Sequence, residues 1–188
     1  MTNPYTNSRK YATQMEVLET IQQRLIATVP AYTTANCFIL DQPVPPEAPI
    51  GREICTVAPG NGTFVESMFA GSGFNTLTEN ATTVVTPMVR QVRDKPREAK
   101  VALLSQEDGL LQRKWEILRA LLEDDFDLSI YDMATEDTRW LLREQLSIRY
   151  ADAPGFTQVG QYQFMGMSMT FNTPFDWGLP PLEVPEDE

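Results

Sequence analysis

Histidine is absent from all 188 residues. Its absence removes both the commonest general base near neutral pH and the commonest zinc ligand, so a hydrolase triad and a histidine-based metal site are excluded. Basic residues are scarce, 15 Lys and Arg against 26 Asp and Glu, for a formal charge of -11. Proteins that grip a nucleic-acid backbone do so with clustered Lys and Arg that release counterions. This chain has the opposite balance, which suits solubility or a surface that repels DNA, and no specific nucleic-acid binding is expected. No run approaches the roughly 20 apolar residues of a membrane helix. The opening MTNPYTNSRKY is polar with no apolar centre, and the expectation is a protein made and used without export. No Lys follows Gly71 or Gly73, so the phosphate cradle G-x-x-x-x-G-K-[ST] is missing as well.

Only two cysteines are present, Cys37 and Cys55, each in an apolar stretch. Without a secretory segment they are expected as reduced, buried thiols on neighbouring strands. An apolar fraction of 42% is enough for one real core. The sequence divides into a polar arm at 1–12, a single domain at 13–173 and an acidic, Pro-rich tail at 174–188.

The best-organised stretch runs from Thr82 to Glu123. TTVVTPMVRQVRD reads as a strand with apolar residues on both faces, as in a sheet interior, although Pro87 argues for an edge or a bulge. It feeds through Pro96, suited to a first helical turn, into a long helix or two abutting ones, because Gly109 weakens the middle. Leu104, Leu111, Trp115, Leu118 and Leu122 recur at helical spacing and predict the buried face, widened by Leu103, Leu110, Ile117 and Leu121. Arg113, Lys114, Glu116, Arg119 and Glu123 are expected mostly toward water.

Upstream, Thr13 with Glu16 forms a capping box for a helix whose Val17, Leu18, Ile21, Leu25 and Val29 share one side, ending at Pro30. Phe38 to Leu40 is a short strand. DQPVPPEAP, with four prolines in nine residues, is a rigid surface loop. Arg52 to Val57 and Thr63 to Phe69 flank Pro59-Gly60-Asn61-Gly62 and predict a hairpin. Gly71 to Ala81 reads as a polar connection. Downstream, Asp124, Asp125, Asp127 and Asp132 make an acidic corner. A calcium loop counted from Asp125 fails at its sixth position, Ile130, where the turn needs Gly; no metal or cofactor is expected. Thr135 to Arg143 reads as a short helix. Leu146 to Tyr150 alternates as a strand, and Gln161 to Phe171 forms the last one, with a bulge near Gly166 that brings its Phe and Met residues to one face. The fold class is α+β, a mainly antiparallel sheet with an N-terminal helix and a long central helix packed on it.

The helix at Val17 to Val29, the strand pair around Ile54 to Phe69, TTVVTPMVRQVRD leading to EILRALLE, and QYQFMGMSMTF occur in an order that resembles the tail terminator (tail-completion) proteins of long-tailed bacteriophages. The resemblance covers 13–173; the insert at Val44 to Pro49 and the acidic tail have no counterpart in it. It implies a structural virion protein and not an enzyme, assembled in the host cytoplasm. Copies would form a ring, by family habit a hexamer, that caps the tail tube, stops its polymerisation and receives the head-completion or neck protein. The genome would pass through the lumen without sticking. Phe74, Leu77, Trp177 and Leu179 are the residues this implies at subunit or tube contacts. A neck or head-tail connector in a twelvefold ring uses similar pieces and is the alternative.

Overall fold

The computed structural model describes residues 14–45, 51–68, 75–91, 96–123, 129–132, 137–140 and 146–178. In chain order the elements are α1 (Gln14–Thr28), β1 (Cys37–Ile39), β2 (Glu53–Pro59), β3 (Thr63–Met68), β4 (Asn75–Arg90), α2 (Pro96–Leu104), α3 (Leu110–Leu122), β5 (Ser129–Asp132), β6 (Asp137–Trp140), β7 (Ser147–Ala151), β8 (Gly155–Val159), β9 (Tyr162–Gly166) and β10 (Met169–Gly178). This is a mixed α/β chain with a mostly antiparallel sheet and a few helices, compatible with α+β.

The sheet is built around β4, a strand of 16 residues. On one side β2 pairs with its second half and β3 with its first, both antiparallel to it. On the other side β9 and β10 do the same. Beyond them β7 pairs with β10 and β8 with β9. β1 lies parallel to β2. The flanking strands are therefore long columns, each broken once.

The expected hairpin between β2 and β3 does not form; the two follow one another along β4. Pro59 to Gly62 kinks the column instead of reversing it. Gly60 donates its amide to Thr82 O at 2.7 Å. A Cβ on Gly60 would strike the Thr82 side chain, and one on Gly62 the Glu79 carboxylate. Gly-rich sequence serves a bulge with close backbone approach as well as a turn, and here the long strand opposite decides between them. For the same reason part of the stretch expected as a polar connection is strand: β4 begins at Asn75, while Gly71 to Phe74 lie outside the described residues.

Pro87 sits inside the sheet without costing a ladder bond. Its carbonyl accepts the Met167 amide at 3.3 Å, so its nitrogen edge faces the junction between β9 and β10, where the column is already interrupted. The break falls at Met167 and Ser168, next to the bulge expected near Gly166. Phe164, Met165, Met167, Met169 and Phe171 are all buried, but not on one face as expected: Phe164 packs with Ile54 and Met88, while Met169 and Phe171 lie in the helix-covered core on the other side of the sheet. Three further expectations differ. Residues read as a helix from Thr135 include strand β6, paired with β5. β8 was not foreseen; its hairpin with β9 turns at Gly160, whose φ of 58° suits glycine. β10 runs on to Gly178, into sequence that reads as tail. The acidic residues Asp124, Asp125 and Asp127 lie outside the described residues.

The main core lies on one face of the sheet. Val17, Leu18, Ile21 and Leu25 of α1 meet Ile117, Ala120 and Leu121 of α3 over Val57, Val85, Met169 and Phe171. The opposite face is covered near β9 by the Pro-rich loop, where Val44 and Phe38 pack on Ile54, Met88 and Phe164. Thr56 donates its hydroxyl to Pro43 O. The visible part of that loop is thus a cover for the second face.

Of the two arrangements expected, one long helix or two abutting ones, the second is found, with Gly109 as the N-cap of α3. Gly109 closes the turn by donating to Ser105 O at 3.0 Å. A Cβ at Gly109 would collide with backbone O and N of Ser105, atoms that cannot swing aside. Gly109→Ala is expected to cost about 2 kcal/mol, as overpacking a tight site does. A change below about 0.5 kcal/mol by urea denaturation, the range of ordinary surface substitutions, would contradict this.

The buried face of α3 is the expected one only in part: Leu110, Ile117 and Leu121 are buried and Leu118 packs against the core, but the centre of the expected stripe faces outward and Arg113, expected toward water, is buried. Leu110, Arg113, Ile117, Ala120 and Leu121 point inward. Leu104 is 49% exposed, Leu111 41%, Trp115 61% and Leu122 37%. Apolar residues cover two adjoining arcs of this helix, and a single sheet can cover one. Small Ala120 lies on the chosen arc, where Arg24 of α1 donates through Nε to its carbonyl at 2.9 Å, so α1 and α3 approach closely on that side.

Candidate functional site

Three surfaces stand out, and none is a catalytic constellation. The first is a three-stranded extension. β3, the first half of β4 and the second half of β10 lie side by side, and among the described residues the helix-covered core reaches only to Ala81 on β4. Leu77 pairs with Trp177 on one side and with Glu66 on the other. Two of the four expected contact residues are thereby brought together in register. Phe74 and Leu179 lie outside the described residues. Phe64, on the outer strand, is 60% exposed and was not among those expected.

At the root of the extension, on the face away from the helices, lies a groove of about 440 Å³. Asn80, Thr82, Asn172, Ser147 and Arg149 line it. Asn172 donates Nδ2 to Ser147 Oγ at 3.1 Å, and Thr82 donates its hydroxyl to Asn61 O at 2.7 Å. Arg149 is the extra residue of a bulge: Tyr150 pairs with Thr170 and Ile148 with Phe171. No acidic partner for Arg149 exists among the described residues. Amides, hydroxyls and one guanidinium can hydrogen-bond a polar extended segment. No nucleophile with a base beside it lines the groove. Sequence alone gave no hint of it, because a bulge on β7 and two Asn residues ninety-two positions apart meet only through strand register.

The second surface is the outward stripe of α3, centred on Trp115. The third is internal. Cys37 and Cys55 are register partners on β1 and β2, both free and fully buried. The Tyr32 hydroxyl, buried beside them, makes no hydrogen bond of ordinary geometry. Burial, followed by the neighbouring Cys37, pushes the Cys55 thiol well above its usual range, and burial with Cys55 and Glu53 does the same to Tyr32. Both groups hold their protons more tightly folded than unfolded. Their contribution to stability is full below the unfolded pKa and is lost as pH rises through the alkaline range. Thiol reagents at pH 8 are expected to label neither cysteine in the folded chain and both after denaturation, since the thiolate is the reactive form; rapid labelling of the native protein would contradict this.

Among the described residues no three carboxylates or thiols come together, and no helix is long and apolar enough to cross a membrane. No protein-family model matches this sequence, and no curated protein is significantly similar to it.

Proposed function

We propose that this chain is a structural virion protein of the tail-terminator type. It forms a ring that caps the tail tube, stops tube polymerisation and joins the tail to the head-completion or neck protein. The observation that carries this reading is the extension of β3, β4 and β10, with Leu77 and Trp177 in register on it. A ring closes through a heterologous contact, one patch on a different patch of the next copy. A strand tip set away from the helix-covered core is suited to reach that neighbour or the tube. The order of elements adds support: an N-terminal helix, an antiparallel sheet with a long excursion, a strand leading into helices, and final strands. The charge of -11 fits a lumen that lets DNA slide past without binding. The central helix of the resemblance corresponds to α2 and α3 together, and the chain works by assembly, without a cofactor.

Native mass measurement tests the reading. Six copies are expected; twelve would favour a head-tail connector, and a strict monomer at high concentration would defeat both. In the assembled ring, a lumen lined by Lys and Arg would contradict the proposed passage of DNA.

A further inference from the structure

Strands β3, β4, β10 and β7 follow one another across the sheet, and among the described residues nothing pairs with the outer side of β3 or of β7. An unpaired edge is a row of amides and carbonyls open to another strand, and proteins commonly blunt such edges with lysine or proline. Neither residue occurs in β3 or β7. Both edges carry apolar groups at the surface instead: Phe64 on β3 is 60% exposed, Tyr150 on β7 52% and Ile148 36%.

We propose that β3 of one copy adds to β7 of the next, continuing the sheet from copy to copy. The occupant of β7 is not the same chain's β3, because β4 and β10 stand between the two edges and a sheet of four strands is too narrow to close on itself. Strand direction agrees with the pairing. β3 and β10 both run opposite to β4, and β7 runs opposite to β10, so β3 and β7 of one copy point opposite ways. Copies repeated side by side in one orientation keep these directions, and β7 meets the next β3 antiparallel, the more stable of the two ladders.

Charge selects the partner. β3 holds one acid, Glu66, and no base, while β7 holds one base, Arg149, and no acid. Joining β3 to β3 or β7 to β7 across a two-fold axis sets like charges on facing strands, which is destabilising. The last residues of β10, Pro174–Gly178, also have no strand on their outer side among the described residues. They include Asp176, an acid, and Pro174, which has no amide to donate. Of the unpaired edges of this sheet, β7 alone carries a base. Ile148 and Tyr150 flank Arg149, and Phe64 lies two residues from Glu66, so the ion pair forms beside apolar cross-strand contacts.

The pairing is stepped. β3 is level with Asn75–Asn80 of β4, and β7, through β10, with Thr82–Val85. Their centres lie about six residues, or ~20 Å, apart along the strands. A closed ring built this way has its strands inclined to the ring axis, whereas upright strands give an open helical array. The contact is heterologous, and it rests on the proposed function only in requiring that copies associate.

The test uses the full chain with Phe64 replaced by photoreactive p-benzoylphenylalanine. Irradiation is expected to give a product of two-chain mass whose cross-link maps to residues 147–151. Arg149→Glu should lower its yield about fivefold, the effect of turning one cross-strand charge pair repulsive. Adding Glu66→Arg should restore it, which separates charge pairing from damage to the fold. Absence of a two-chain product, cross-links to β3 or β10 of the second copy, or a yield unmoved by charge reversal would overturn the pairing. Cross-links to β7 in a particle of some number other than six would keep the pairing and defeat the proposed ring. A six-copy ring without them would do the reverse.

Discussion

Replacing Arg113 with methionine is expected to lower folding stability by about 3–5 kcal/mol, the loss typical of breaking one side of a buried ion pair. Arg113 is 6% exposed although it lies on a helix. Its Nε and Nη2 donate to the Glu53 carboxylate at 2.5 and 3.1 Å, its Nη1 to Glu116 Oε2 at 2.6 Å, and Nη2 also to Glu107 O at 2.8 Å. One guanidinium thus joins the start of β2, the turn between α2 and α3, and α3 itself. Beside it Arg52 pairs with Asp108, reinforcing the same junction from the surface. Methionine keeps most of the aliphatic volume, so the loss is chiefly electrostatic. It leaves Glu53, at 12% side-chain exposure, without its fork-shaped partner. Burial alone would pull the guanidinium pKa down, but the hydrogen bonds and charges of Glu53 and Glu116 outweigh it and raise it. A raised pKa contributes stability at every pH below the ordinary guanidinium range, so the deficit should be equal at pH 7 and pH 9. Urea denaturation followed by circular dichroism gives the shift in midpoint. The double variant Glu53→Leu with Arg113→Met should recover much of the loss, since two apolar groups need no partner. A single-variant loss below about 1 kcal/mol, the level of an exposed pair, would show that the junction is solvated.

Arg113 also marks the limit of periodicity as a guide. Helical spacing grouped Leu111, Trp115, Leu118 and Leu122, yet Leu111, Trp115 and Leu122 are exposed and only Leu118, at the edge of the group, packs against the core. Nothing in spacing distinguishes two apolar arcs of one helix when a sheet covers only one. The choice depends on Glu53 waiting on β2 for Arg113, and on α1 approaching at Ala120. α1 itself was legible, because its only apolar side is Val17, Leu18, Ile21 and Leu25. The thiols were legible too: short apolar stretches around Cys37 and Cys55 fit adjacent buried strands, and the two are register partners on β1 and β2.

Local turn chemistry was read less well, for a related reason. Pro59 to Gly62 carries every residue of a turn, but its neighbours pair with a strand long enough to hold β2 and β3 in line. Pro87 looked like an edge residue because proline lacks an amide donor. The sheet accommodates it where β9 has ended and β10 has not begun, a vacancy made by residues eighty positions away. The groove at Arg149 lay beyond sequence reading because it exists only where four strands meet. Long-range register decided each of these outcomes, and register is the property that a single strand's pattern specifies least.

Phe171→Ala is expected to cost about 3–5 kcal/mol, as for other buried aromatic truncations. Phe171 is fully buried and pairs with Thr83 on β4 and Ile148 on β7. It belongs to the core cluster that α1 and α3 cover. The cavity would open beneath both helices, beside the β7 bulge. That strand is already irregular and poorly placed to collapse into the space. Phe156→Ala serves as the contrast: Phe156 is 54% exposed on β8 and should cost no more than about 0.5 kcal/mol. The effect should also reach the extension. Thr173 to Gly178 continue the strand that Phe171 anchors, and the buried hydroxyl pair of Thr83 and Thr173, 3.1 Å apart, lies two residues further on. Loosening Phe171 should therefore speed amide exchange at Thr76 to Asn80 in the native state more than at Val85 to Val89, which remain held by β2. Local opening free energies are read directly by such exchange. Uniform acceleration along β4 would mean that the extension and the core unfold as one unit, and a stability loss near that of Phe156→Ala would mean that the site collapses around the smaller side chain.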